Sequence, residues 1–118
     1  MNDNKLKEAD NTIIQRKQRI NKIDDMVDIE KSKIKKYSDM QENYYSLSKN
    51  IDKCIDLISR SIKGPNTVAI FDEMQNDNRK QMIETTEMLD SKIKESKDKV
   101  NKLYSEKNEL IQKKYKIE

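Results

Sequence analysis

The sequence predicts an all-α protein: a long antiparallel two-helix hairpin, coiled-coil-like, completed into a larger helical bundle by a partner. Three observations predict it. The sole Gly and the sole Pro of 118 residues stand side by side at Gly64 and Pro65, so only there does a helix clearly have to stop. On either side of that point, apolar residues recur every seven positions, the period of a supercoiled helical seam. Charged residues make up 40% of the chain against 33% hydrophobic, yet the net charge is only +3 and the mean hydropathy is −1.12. That balance belongs to mixed-charge helices burying a narrow stripe, not to a wide core.

A chain of this length is one domain. Helix one is expected over about residues 3–63, the turn over 64–66 and helix two over about 67–116. At the turn, Gly64 would take the left-handed conformation that closes a helix, with Arg60 and Lys63 complementing the dipole of the last turn. Asn66 or Thr67 would cap helix two, with Asp72 and Glu73 placing negative charge in its first turns.

In helix one, Leu6, Ile13, Ile20, Val27 and Ile34 form the first row, and Ala9, Ile23, Tyr37, Tyr44, Ile51 and Ile58 supply much of the second. Arg16 and Glu30 interrupt that second row. After Ile34 the first row is expected to slip by one, through Met40, Leu47 and Cys54 to Ile62. Ser38-Asp39-Met40-Gln41 matches a capping box and marks a candidate break, although the apolar spacing continues through it. Cys54, the single cysteine, is expected to be buried among Ile51, Ile55 and Ile58; the alternative is a disulfide between two chains.

In helix two, Val68, Met82, Leu89, Leu103, Leu110 and Ile117 keep one row, with Gln75 and Ser96 as polar members, and Phe71, Met74, Ile93 and Val100 flank it. Asp90–Lys94, Glu95–Lys99, Asp98–Lys102 and Glu109–Lys113 set an acid four residues before a base, the pattern of a solvated helical face. Arms this long would reach roughly 80–90 Å. Two helices alone would leave Ile14, Ile29, Tyr45, Ile70, Met88 and Ile111 partly open, which calls for a partner. The expected partner-binding seam comprises Ile13, Ile20, Val27, Ile34, Ile51 and Ile58 on helix one. Met74, Met82, Leu89, Val100, Leu103 and Leu110 supply it on helix two.

Little in the chain suggests chemistry. It contains no His and no Trp, hence neither the usual neutral-pH acid–base nor the commonest metal ligand. With no phosphate-binding glycine loop and no nucleophile–base pairing, no catalytic, cofactor-binding or metal residues are expected, and the chain is not read as an enzyme. The lysines at 31, 33, 35 and 36, and at 113, 114 and 116, are interleaved with acids and read as solvated faces, not a nucleic-acid site. Met74, Met82 and Met88 suit either seam filling or an adaptable contact surface. No secretory leader and no bilayer-spanning stretch is visible, so the expected location is the cytoplasm. Any export would proceed without a cleaved leader. The abundance of Lys, Asn and Ile suggests an AT-rich bacterial genome.

The turn carries a resemblance. Ile62-Lys63-Gly64 stands where the WXG superfamily of small secreted helical hairpins carries Trp-x-Gly, and Ala69-Ile70-Phe71-Asp72-Glu73 is similar to the Ala-x-Phe-Asp segment that opens the second helix in Gram-positive relatives. The chain most resembles LXG-toxin-associated helical proteins of type VIIb secretion. That resemblance implies a targeting chaperone that binds the helical N-terminal domain of a cognate LXG toxin, together with a second small helical protein, for recognition by the secretion machinery. It would give Ile62 and Gly64 the motif's Trp and Gly positions and Phe71 that of the second-helix aromatic, with no nucleic acid and no membrane insertion involved. Ile62 replaces the motif's Trp, and Tyr104 is followed four residues later by Asn108 in place of the acid of the export signal, which would then be degenerate here or supplied by a partner. The alternative function is a coiled-coil assembly or scaffold protein unrelated to secretion.

Overall fold

The computed structural model describes residues 2–117, with side chains from residue 5 to residue 113. Its two elements are α1 (Asn2–Ser61) and α2 (Thr67–Ile117). Neither helix interior contains Gly or Pro, so nothing in the backbone chemistry interrupts either one. Among the described residues no helix is long and apolar enough to cross a membrane. The side chains of Lys114, Lys116 and Ile117 lie outside the described residues.

α1 runs unbroken through Ser38. The Gln41 of the apparent capping box reaches across to α2 instead, its amide donating to the Thr86 carbonyl at 3.3 Å and to Asp90 Oδ1 at 2.6 Å.

The turn departs from expectation at the end of α1 and at Gly64. α1 ends at Ser61, leaving Ile62 and Lys63 outside the helix, so only Arg60 adds positive charge to its last turn. The Ser59 and Ser61 hydroxyls donate to the Asp56 and Leu57 carbonyls, at 2.8 and 3.1 Å; such bonds compete with the helical ladder. Gly64 has no positive φ: the chain turns through Pro65, and the residue before a proline is pushed towards extended backbone. The Thr67 hydroxyl then donates to the Gly64 carbonyl at 2.8 Å and accepts from its N–H at 3.1 Å. Thr67 thus ties the connector and not the helix ladder, and Asn66 holds the position before the first helical residue, its carbonyl accepting from the Ile70 N–H at 3.3 Å. Asp72 and Glu73 fall beyond the first turn, which contains no acid.

The chain divides into two compact units, one of Met1–Ile34 with Glu95–Glu118 and the other of Lys35–Lys94. In each, a stretch of α1 lies antiparallel to a stretch of α2. In the termini-side unit Ile23, Val27 and Val100 are buried, with Ile34, Leu103 and Leu110 packed against them, and the polar Glu30 and Ser96 are buried as well. Arg19 forms a two-pronged bond to Glu106 at 2.7 and 3.0 Å, and Lys107 donates to Asp24 at 2.7 Å. The Lys31 ammonium stands 5.6 Å from the centre of the Tyr104 ring, and Lys33 pairs with Glu30 at 3.3 Å. The first lysine cluster is therefore partly occupied within the fold. Of the four acid–base pairs expected on α2, Glu95–Lys99 forms, at 3.8 Å, whereas Asp90 is taken by Gln41.

Candidate functional site

The turn-side unit, residues 35–94, mixes polar and apolar residues evenly along its seam. On α1 the residues turned towards α2 are Tyr37, Gln41, Tyr44, Ser48, Asp52 and Ile55; on α2 they are Phe71, Gln75, Asn78, Met82, Thr85 and Leu89. The Asn78 amide donates to the Ser48 carbonyl at 3.0 Å and to Asp52 at 3.1 Å. Gln75 donates to Asp56 at 2.7 Å.

The first row therefore does not slip after Ile34. It continues in strict heptads as Gln41, Ser48 and Ile55, and leaves Met40, Leu47, Cys54 and Ile62 exposed. The cause lies on α2, where Gln75 and Asn78 face the seam: aliphatic groups there would strand two amides without partners, whereas Ser48, Asp52 and Asp56 satisfy them. Cys54 consequently stands one position early, in solvent, and is not the buried residue its apolar neighbours suggest.

Where the expected partner-binding residues fall is now clear. Ile13, Ile20, Val27, Ile34, Met82, Leu89, Val100, Leu103 and Leu110 are half-buried or buried, and α1 and α2 use them against each other. Ile51, Ile58 and Met74 are exposed by 39%, 46% and 45%, as are Ile14, Ile29, Tyr45, Ile70 and Met88, while Ile111 is half-buried. Val68, expected in the row of α2, is exposed by 69%. The turn-motif residues Ile62, Lys63, Gly64 and Phe71 line one open hollow of about 280 Å³ at the tip, with Ser59 and Val68.

Many of the exposed apolar residues of the turn-side unit share one side, although Leu57 and Ile83, exposed by 63% and 54%, do not. Met40, Leu47, Ile51 and Ile58 each precede a seam residue by one position, and so do Ile70, Met74 and Met88 on α2. One residue back is about 100° of rotation on a right-handed helix. In an antiparallel pair that step turns both helices to the same side, here termed the leading side. Positions that follow a seam residue fall on the opposite, trailing side. There lie Asp56, Arg79 and Asp90, and there the polar ties gather: Gln75–Asp56, Gln41–Asp90 and Arg79–Asp52, the last at 4.0 Å. Tyr45 is also trailing, and its ring is covered by the Lys49 ammonium at 4.6 Å. The trailing side holds most of the polar ties, with Ile83 exposed on it; the leading side holds most of the exposed apolar residues.

The leading side carries few charges, of both signs. On α1 its positions are Lys36, Met40, Asn43, Leu47, Ile51, Cys54 and Ile58. On α2 they are Ile70, Met74, Asp77, Gln81, Glu84, Met88 and Lys92. Spacing on α1 alone conceals Asn43, Asp77 and Glu84 as its border; the signal that reveals them is the polar seam of α2.

The termini-side unit has a groove of its own, about 300 Å³, between Met26, Ile29 and Leu103, with Glu30, Lys99 and Lys102 at its edge. Glu30 is buried. The Ser96 hydroxyl, and then Lys33, hold its carboxyl below the usual carboxylate range against the opposing effect of burial. Among the described residues no group of His, Cys, Asp and Glu is placed to hold a metal ion.

Compared with known proteins, the chain matches no protein family, no curated protein and no solved structure.

Proposed function

We propose that this chain is a helical binding partner that covers the helical N-terminal domain of an LXG-type toxin and helps target it for type VII export. The single observation that carries the binding role is the exposed apolar stripe of the turn-side unit. Polar side chains share the seam there, while Leu47, Ile51, Ile58 and Met74 face outwards on one side. Leaving such a stripe in water forgoes about 25 cal/mol per Å² of apolar surface, and contiguous exposed apolar surface marks interaction sites. The toxin assignment rests on the turn residues Ile62-Lys63-Gly64 and the following Ala69-Ile70-Phe71-Asp72. A toxin domain with open apolar helix faces would aggregate before export, and a hairpin with a matching stripe removes that hazard.

The test is co-expression with the helical N-terminal domain of an LXG-type toxin from the same genome. A stoichiometric complex is expected, lost in a Leu47→Asp/Ile51→Asp variant that keeps its helical circular dichroism. Purified pairs that fail to associate at micromolar concentration, while the chain alone forms higher oligomers, would instead favour the scaffold reading. The aspartates belong on the leading side: Ile20 and Leu103, which spacing nominates equally, hold α1 against α2, and charging them would unfold the chain instead of testing recognition.

A further inference from the structure

The polar ties of the turn-side unit are gathered over one stretch of its seam. Leu89 neighbours the Asp90 that takes the Gln41 amide, and Ile55 neighbours the Asp56 that takes the Gln75 amide. These two buried aliphatic residues therefore close the stretch at either end. Between them α1 contributes Tyr44, Ser48 and Asp52, and α2 contributes Asn78, Met82 and Thr85, over about 20 Å of helix. Ser48 alone is buried there among the described residues, while Tyr44 and Met82 are half-buried. Asn78, tied to the Ser48 carbonyl and to Asp52, is half-buried too. Closing this stretch removes little apolar surface from water, and its side-chain hydrogen bonds exchange for bonds to water at small net cost.

The termini-side unit is closed differently. Ile23, Val27 and Val100 are buried together, with Ile34 and Leu103 packed against them, and Arg19–Glu106 and Lys107–Asp24 brace the same stretch at 2.7 Å each. Glu30 and Ser96 interrupt that core, but Val27 and Ile34 flank Glu30 about one turn away on α1. We infer that the hairpin opens from within: α1 and α2 part over about residues 42–54 and 76–88, between Ile55 and Leu89, while the termini-side unit stays shut. This reverses the ordinary order, in which free ends loosen first and the segment beside a turn holds longest. Opening makes the seam residues Tyr44 and Met82 available to a partner without unfolding the chain. It goes beyond the toxin reading and is measured without any toxin.

The experiment is native-state hydrogen exchange of the purified full chain, read as protection factors amide by amide. Amides over residues 44–52 and 78–86 are expected to be protected about tenfold less, or weaker still, than those over 23–34 and 96–106. Asp52→Leu/Asn78→Leu sets an aliphatic pair across the seam in place of the polar tie, and replacing both partners strands neither. That variant should raise protection over the opening stretch by about tenfold and leave the termini-side amides as they were. Uniform protection along both helices overturns the inference. So does protection that decays smoothly from the connector to the chain ends, which is opening from the termini. A variant of unchanged circular dichroism whose opening stretch exchanges as before overturns it as well. A fast-exchanging stretch in a chain that binds no toxin domain would sink the toxin reading alone, and a slow one in a chain that binds would sink the opening alone.

Discussion

Gly64 shows how one residue can be needed for less than its reputation. Its φ is not positive, and a Cβ built on it would meet Thr67 Cγ2 at 3.4 Å, ordinary van der Waals contact. Folding therefore spends the extra backbone freedom of glycine without using it. Gly64→Ala is expected to raise stability by about 0.4–1 kcal/mol, through a less disordered unfolded chain. A urea titration reads this as a higher midpoint at unchanged slope. A loss of stability would mean that the turn needs glycine after all. Thr67, whose hydroxyl closes on both backbone groups of Gly64, is the side chain that fixes the connector.

At the level of elements, the two units divide the work. Ile23 is fully buried in the apolar core of the termini-side unit, and Ile23→Ala is expected to cost about 2–5 kcal/mol. Leu47 looks equivalent by spacing but is exposed by 53%, so Leu47→Ala should change stability by no more than about 0.5 kcal/mol while weakening association. Thermal melts of the two variants beside a binding measurement separate the roles. Equal destabilisation would contradict the assignment of Leu47 to an outer face. This contrast also marks how far the sequence could be read. Two helices, their antiparallel order and the turn at Gly64-Pro65 follow from composition and heptad spacing, because backbone chemistry and the apolar period agree there. The face did not follow. Apolar spacing treats every Ile and Leu as a seeker of the seam, so Met40, Leu47 and Cys54 seemed to mark a slip. In the observed register the half-buried amides of Gln75 and Asn78 meet Asp56, Asp52 and the Ser48 carbonyl, partners to which apolar spacing is blind.

For the whole molecule, the pKa shifts define a response to acid. Arg19 holds the Glu106 carboxyl below its ordinary range, and Ser96 with Lys33 does the same for Glu30. Depressed in the fold, both groups contribute stability above their unfolded value of 4.5, and that contribution is lost as pH falls through the lower folded values. The melting temperature is expected to be flat from neutrality to about pH 5 and to fall below it. Glu106→Gln should flatten part of the acid limb and lower stability slightly at neutral pH. An acid limb unchanged in that variant would assign the loss to other carboxylates.

The connector has one more use. Ile62 and Lys63 belong to neither helix, and both are exposed. An epitope or a dye-labelling tag grafted between them should be accommodated with the hairpin intact, since only the Ile62 N–H bond to the Ile58 carbonyl, at 3.0 Å, lies next to the insertion. Such a handle would let the molecule be followed in living cells from its bend, away from the exposed apolar stripe.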